Sequence, residues 1–234
     1  MSMILHKAMM TLGGTPPPID PYFANVVSLM HYETSLLDQK GLVWSSGAGT
    51  PTITTSSPLV GIGSLLCSTA CIKAAGSTSY CINAGADFTI EISVKFNSLP
   101  SGDTATLASM YNGSGAGWSL QFRNDSPGSR LQVNLTGDTG TSSMPWSPST
   151  GVKYDIAISR VSGQIYWFVN GVSLGSPTAN SDGGNVAATN IAIGGLDFSG
   201  FIQLCNAVID EWRLTFGVGR YDANYTVSLP FPDS

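Results

Sequence analysis

The stretch from Tyr154 to Gly175 limits what this chain can fold into more than any other. Tyr154-Asp155-Ile156-Ala157-Ile158-Ser159-Arg160 alternates apolar and polar residues, the pattern of a strand with one buried face. Gln164-Ile165-Tyr166-Trp167-Phe168-Val169 is aromatic and β-branched, Asn170-Gly171 follows, and Val172-Ser173-Leu174-Gly175 returns. Asn-Gly is the favoured pair for a type I′ turn, because both central residues need positive φ and the twist of that turn suits the strands it joins. A hairpin is expected here. Two short strands should follow at Asn190-Ile191-Ala192-Ile193-Gly194-Gly195 and Val208-Ile209-Asp210-Glu211-Trp212-Arg213-Leu214. The fold class is therefore all-β and antiparallel.

The rest of the chain reads the same way. A first strand is expected over Val26–Tyr32, others at Gly41-Leu42-Val43-Trp44 and Thr52-Ile53-Thr54, and Ser64–Cys67 is expected to pair with Tyr80-Cys81-Ile82. Gly117-Trp118-Ser119-Leu120-Gln121-Phe122 and Leu131-Gln132-Val133-Asn134-Leu135 alternate cleanly about a turn at Ser126-Pro127-Gly128, which predicts a second hairpin. Val218 to Ala223 could make a short helical turn. The 27 glycines and 13 prolines are spread along the 234 residues, as many short strands joined by tight turns require. Residues 19–234 suffice for one sandwich domain. Residues 1–18 read as an extended arm, Met-rich and then broken by Pro16-Pro17-Pro18. Its apolar residues Met3, Ile4, Leu5, Met9, Met10 and Leu12 are the candidate assembly contact.

Several phrases resemble the laminin-G-like jelly roll of the concanavalin A-like lectin/glucanase superfamily. They are Asp87-Phe88-Thr89-Ile90-Glu91-Ile92-Ser93-Val94-Lys95-Phe96, Ile156-Ala157-Ile158-Ser159-Arg160, Phe168-Val169-Asn170-Gly171, Ile193-Gly194-Gly195 and Ile209-Asp210-Glu211, in that order. The opening Asp20-Pro21-Tyr22-Phe23-Ala24-Asn25-Val26-Val27-Ser28-Leu29-Met30-His31-Tyr32 is similar to the start of such domains in tailed-bacteriophage virion proteins. So is the ending Gly217-Val218-Gly219-Arg220-Tyr221-Asp222-Ala223-Asn224-Tyr225 with Pro230-Phe231-Pro232. The resemblance implies an antiparallel jelly-roll β-sandwich. It also implies a virion component, made in the host bacterial cytoplasm, that partners other capsid or tail proteins and copies of itself. It leaves function open, because this fold carries binders, enzymes and structural modules.

Charge excludes some functions. Only 11% of residues are charged, ten basic against fifteen acidic, with no basic stripe of the kind phosphate neutralisation needs. Nucleic-acid binding is not expected. No window reaches the roughly 18–20 apolar residues of a membrane span, and the start lacks the basic flank and long apolar centre of a signal peptide. Cys67, Cys71, Cys81 and Cys205 lack zinc-ribbon spacing, and a protein made in the cytoplasm keeps its thiols reduced, so core thiols are expected.

Catalytic patterns are missing. A retaining or inverting hydrolase needs two carboxylates flanking one bond, and the superfamily's Glu-x-Asp-x-x-Glu strand is not present. Glu91 stands alone, and Asp210 and Glu211, as strand neighbours, should point to opposite faces. The two histidines, His6 and His31, have no nucleophile elbow beside them, and His31 reads as a hydrogen-bonded structural residue. Gly61-Ile62-Gly63 reads as a turn. The resemblance admits a Ca²⁺ ion at a loop rim, where Asp138, Asp182 and Asp197 could contribute, but scattered aspartates are ordinary turn residues and no cofactor is expected.

Sugar binding needs an exposed aromatic face beside amide and carboxylate groups, because a pyranose offers C–H patches and edge hydroxyls. The candidates are Tyr111, Asn112, Trp118, Arg123, Asn124 and Trp146, with core packing as the competing role for each. The expected function is a non-enzymatic virion structural or decoration protein with a lectin-like domain that contacts host-surface glycans. The alternative is a carbohydrate-binding adhesin, and a glycoside hydrolase ranks behind both.

Overall fold

The computed structural model describes residues 19–111, 117–135, 140–184 and 189–234. The arm residues Met3, Ile4, Leu5, Met9, Met10 and Leu12 lie outside these, as do Asn112 and Asp138. In chain order the strands are β1 (Val26–Met30), β2 (Ser45–Ala48), β3 (Thr52–Thr54), β4 (Ser64–Ser68), β5 (Cys71–Ala75) and β6 (Phe88–Ser98). They continue as β7 (Thr104–Tyr111), β8 (Gly117–Asp125), β9 (Gly128–Leu135), β10 (Gly140–Pro145), β11 (Lys153–Val161) and β12 (Gln164–Val169). The short β13 (Val172–Ser173), β14 (Thr178–Ala179), β15 (Asn190–Ile193), β16 (Leu196–Asp197) and β17 (Phe201–Ile202) precede β18 (Asn206–Phe216).

These strands form two antiparallel sheets and a ribbon. A nine-stranded sheet runs β13-β12-β11-β6-β18-β4-β3, with β1 also on β18 and β14 on β12. A seven-stranded sheet runs β10-β9-β8-β7-β15-β5-β2, and β16 pairs with β17. The inner faces are the alternating apolar positions: Phe88, Ile90, Ile92, Val94 and Phe96 of β6 meet Trp118, Leu120 and Phe122 of β8 and Leu131, Val133 and Leu135 of β9 in one core. Two sheets packed on such a core make the expected β-sandwich.

The predicted hairpins form. Val169 pairs with Val172 across Asn170 and Gly171, whose φ values of 53° and 75° are the positive pair a type I′ turn requires. Asp125 pairs with Gly128 at the tip of β8 and β9. Gly61 turns at φ 59°, and the Glu33 carboxylate accepts from the Ile62 N–H at 2.6 Å. The four cysteines are buried free thiols. Cys67 meets the Cys205 thiol, and this hydrogen bond together with burial pushes its pKa well above the usual range.

Four local expectations are corrected. β4 pairs with β3 and β18, not with Tyr80–Ile82, because Thr78–Tyr80 is a 3-10 turn and Ile82 bridges to Gly184. Gly41–Trp44 makes only an isolated bridge, Leu37 to Val43, since Trp44 turns inward to donate its indole N–H to Asp38. Val218 to Ala223 is not helical: the Val218 carbonyl accepts from Thr89 Oγ1 and the Arg220 N–H donates to it, which lays the segment on the sheet. Strict alternation also fails at Asp210 and Glu211, where β18 slips register and Glu211 takes φ 46°. Both carboxylates are therefore buried, and Trp212 resumes the inward positions.

Candidate functional site: a polar cleft on the seven-stranded sheet

The alternation that sends Trp118, Leu120 and Phe122 inward sends Ser119, Gln121 and Arg123 outward. The same holds on β9, where Gln132 and Asn134 face out between Leu131, Val133 and Leu135. Strand pairing then sets the outward residues in rungs across β7, β8, β9 and β10. One rung is Ser109, Ser119, Asn134 and Thr141; the next is Thr106, Gln121, Gln132 and Ser143; the third is Thr104, Arg123, Arg130 and Pro145. Neighbouring members sit one strand spacing apart, about 4.8 Å.

The first two rungs hold each other in place. Asn134 Nδ2 donates to Ser119 Oγ and to Gln121 Oε1, each at 3.0 Å, and Asn134 Oδ1 accepts from Gln132 Nε2 at 2.9 Å and Thr141 Oγ1 at 2.8 Å. Gln121 Nε2 donates to Gln203 Oε1 at 3.0 Å, and Thr106 Oγ1 donates to the same oxygen at 3.0 Å. Linked amides of this kind have fixed orientations, so a ligand meets donors and acceptors already aimed.

The β16–β17 ribbon overhangs the rungs. It is tied down where Ser109 Oγ donates to the Gly195 carbonyl at 2.8 Å and the Thr106 N–H donates to the Gln203 carbonyl at 2.9 Å. Under it lies a cavity of about 220 Å³ lined by Tyr111, Ser119, Gln121, Arg123 and Asn134 from the sheet and Leu196, Phe198, Ile202 and Gln203 from the ribbon. Tyr111 and Phe198 make an aromatic wall, their ring centres 6.1 Å apart and tilted by 43°. Phe198 and Ile202 keep 42% and 41% of their surface exposed, so the wall faces solvent. A concave site with a few converging polar groups beside apolar walls is the usual form of a small-ligand pocket.

Of the sequence-predicted sugar contacts, Tyr111 and Arg123 line this cavity. Trp118 and Trp146 do not. Trp118 is fully buried and donates its indole N–H to the Tyr80 carbonyl at 2.8 Å, and Trp146 packs among Phe96, Phe122 and Tyr154 despite its flanking prolines. Asn124 serves the strand end, donating to the Pro100 carbonyl and accepting from Ser129 Oγ, each at 2.7 Å. The residues missed were Ser119, Gln121, Asn134, Phe198, Ile202 and Gln203. For Ser119, Gln121 and Asn134 the signal was a run of amides and hydroxyls at the outward positions of β8 and β9, ahead of the Arg123–Arg130 pair.

The outer face of the other sheet is covered by the chain's own end. Residues 217–234 cross it with Tyr221 and Tyr225 stacked, 3.6 Å between centres, against Phe168. Beneath them Arg213 grips Glu91 with two hydrogen bonds of 2.6 and 2.8 Å and reaches Asp20 at 3.2 Å. Arg220 donates twice to Asp20, at 2.9 and 2.7 Å, and the Tyr221 hydroxyl donates to Glu91 at 2.9 Å. Burial alone would raise the pKa of Asp20, but the Arg220 and Tyr22 hydrogen bonds with the charges of Arg220 and Arg213 outweigh it and hold the carboxyl below its usual range.

Other titratable groups are also spoken for. Burial pushes Asp210 up to about 7 although Ser64 Oγ and the N–H groups of Val60 and Glu211 donate to it. Glu211 accepts from the Phe231 N–H at 2.7 Å and pairs with His31 Nδ1 at 2.8 Å, so His31 has the structural role expected of it. Burial works against protonation of His31, but that hydrogen bond and charge outweigh it and raise its pKa. Among the described residues no three His, Cys, Asp or Glu side chains come together as a metal site. Asp197 accepts from Asn190 at 2.7 Å, and the Asp182 carbonyl accepts from Arg160.

The fold has known likenesses. Domain 4 of AbnA, a GH43 extracellular arabinanase from Geobacillus stearothermophilus solved with arabinotriose, superposes with a TM-score of 0.64 at 16% identity, over 82% of this chain and 93% of that one. The binding domain of Paraclostridial Mosquitocidal Protein 1 gives 0.63 at 14% identity, over 86% of this chain and 50% of that one. The binding domain of botulinum neurotoxin serotype G gives 0.62 at 16%, over 84% and 49%. The chain thus spans about half the length of those toxin domains and nearly all of the arabinanase domain. No curated protein sequence matches it. A family model described as the concanavalin A-like lectin/glucanases superfamily, that of a laminin-G-like domain, matches residues 72–215, from β5 to the end of β18. More than half of the chain matches, and the chain belongs to the concanavalin A-like lectin/glucanase superfamily.

Proposed function

We propose that this chain is a non-enzymatic carbohydrate-binding domain whose site is the cleft between the rungs of β7–β10 and the β16–β17 ribbon. The observation that carries this reading is an oriented amide and hydroxyl floor, Ser119, Gln121, Asn134 and Gln203, beside the half-buried Tyr111 ring and the exposed Phe198 ring. A sugar needs both: ring C–H groups stack on an aromatic face while its hydroxyls exchange hydrogen bonds with fixed amides. The arabinotriose held by the AbnA domain, a chain of the same fold, supports this reading. Among the described residues the cleft lining includes no carboxylate, histidine or cysteine, which favours binding over hydrolysis.

The test is an oligosaccharide array followed by titration of the hits against Phe198→Ala. Loss of the exposed ring should weaken binding roughly tenfold or more, in line with the cost of removing an aromatic anchor. An array with no hits, or affinity indifferent to Phe198→Ala and Tyr111→Ala, would sink the proposal.

The setting we favour is a virion component. What supports it is the likeness of the opening and closing phrases to phage domains, phrases whose Asp20, Arg220 and Tyr221 share one ionic cluster. In this reading residues 1–18 are the assembly arm and 19–234 the domain. Light scattering should then give an oligomer for the full chain and a folded monomer for residues 19–234; two identical monomers would remove the arm from the account.

A further inference from the structure

The third rung differs in kind from the first two. Arg123 and Arg130 face each other across β8 and β9 and share one carboxylate, Asp125. Arg123 gives Nε and Nη2 to Asp125 Oδ2, while Arg130 places Nη1 2.7 Å from Oδ1 and donates Nε to Gln132 Oε1 at 3.3 Å. Two guanidiniums against one carboxylate leave a net charge of +1. Arg123 Nη1 is not used in that pair, and Arg123 remains 33% exposed in its side chain.

Placement makes this charge more than surface decoration. The sequence has five arginines in a chain of net charge −5. Arg160, Arg213 and Arg220 are bound to backbone carbonyls or buried carboxylates on or beside the nine-stranded sheet. The other two stand side by side on the open sheet, and Arg123 is the one charged side chain among the described residues that line the cleft. It continues the neutral floor in register, one rung beyond Gln121. A guanidinium edge matches a carboxylate in plane with paired N–H groups, a geometry that a hydroxyl does not use as well.

Resting on the cleft's reading as a glycan site, we infer that its ligand is an acidic oligosaccharide, with neutral hydroxyls over Ser119, Gln121 and Asn134 and a sugar carboxylate against Arg123. Recognition is then split along the cleft. The amide floor and the Tyr111–Phe198 wall hold the sugar rings, and the arginine rung selects for charge.

The test uses the full chain and matched probes: oligosaccharides bearing uronic-acid or sialic-acid carboxylates and the same compounds as methyl esters, titrated at low and at high salt. The free acids should bind at least about tenfold tighter than their esters, as one charge-assisted contact implies, and added salt should shrink that margin. Arg123→Gln, checked to be folded by circular dichroism, should abolish the preference for acid over ester, and Arg123→Lys should restore part of it. Equal binding of acids and esters would overturn the acidic-ligand inference and leave the glycan site standing. An acid preference that survives Arg123→Gln would also overturn it, since the charge would then be read elsewhere. Binding of neither series would take the glycan site with it.

Discussion

The two outer faces of this sandwich treat buried polar groups in opposite ways. On the nine-stranded sheet, Glu91, Asp20 and Arg213 are sealed beneath residues 217–234, which add Arg220 to the cluster, and these groups pair with one another. On the seven-stranded sheet, Ser119, Gln121, Asn134 and Gln203 also bond one another, yet only the two-stranded ribbon covers them and a cavity of about 220 Å³ remains above. Charges were spent where the chain closes over itself, and neutral amides where it stays open. The physical reason is cost: a sealed ion must have its full set of partners, whereas a neutral amide beside a cavity can exchange a partner for water or a ligand at smaller penalty.

That contrast can be broken first at Arg213. Arg213→Met would leave the Glu91 and Asp20 carboxylates buried with one cation fewer, and about 3–5 kcal/mol should be lost in denaturant unfolding. A loss below about 1 kcal/mol would mean that the covered face is no more demanding than the open one.

A second test uses pH. Asp210 ionises at about 7 in the fold against 3.8 ordinarily, so between those values the folded chain holds a proton that the unfolded chain has released. Stability should fall as pH rises through that window, by roughly 2–4 kcal/mol in all. His31, also raised, contributes in the same direction above its ordinary 6.5, and Asp20, lowered, contributes a loss only below 3.8. Melting curves should show the decline in the parent chain and a flatter profile in Asp210→Asn; equal slopes in the two would remove Asp210 as the source.

The smallest stability effect belongs to the open face. Phe198→Ala should change unfolding free energy by no more than about 0.5 kcal/mol, because the ring is exposed, while removing most glycan affinity. A larger stability loss would make Phe198 a packing residue and weaken the distinction between the faces.

Legibility from the sequence followed the range of the interactions. The hairpin at Asn170-Gly171 was readable because its turn chemistry and flanking alternation lie within a few residues, and the same holds for β8 and β9 around Pro127. Pairing of β4 with β18 was not, since it joins residues about 140 positions apart by topology rather than by a local signal. The cleft divides in the same manner. Its rungs lie on consecutive strands and could have been drawn from the outward positions of β7–β10, but its roof and its second aromatic come from residues 196–203, which only the sandwich brings over Ser109 and Thr106. Trp118 and Trp146 show the converse: their residue type suggested a sugar platform, and register turned one inward while ring packing enclosed the other.

The amino-acid sequence by itself determined the antiparallel all-β class, the two main hairpins and the alternating core, because alternation and turn preference act between near neighbours. The tertiary structure alone decided which polar residues share a face, which aromatics reach solvent, and that Asp210 and Glu211 share a bulge instead of opposing each other. Those outcomes depend on register and on the order of strands in each sheet, which are set when the whole apolar face is buried at once.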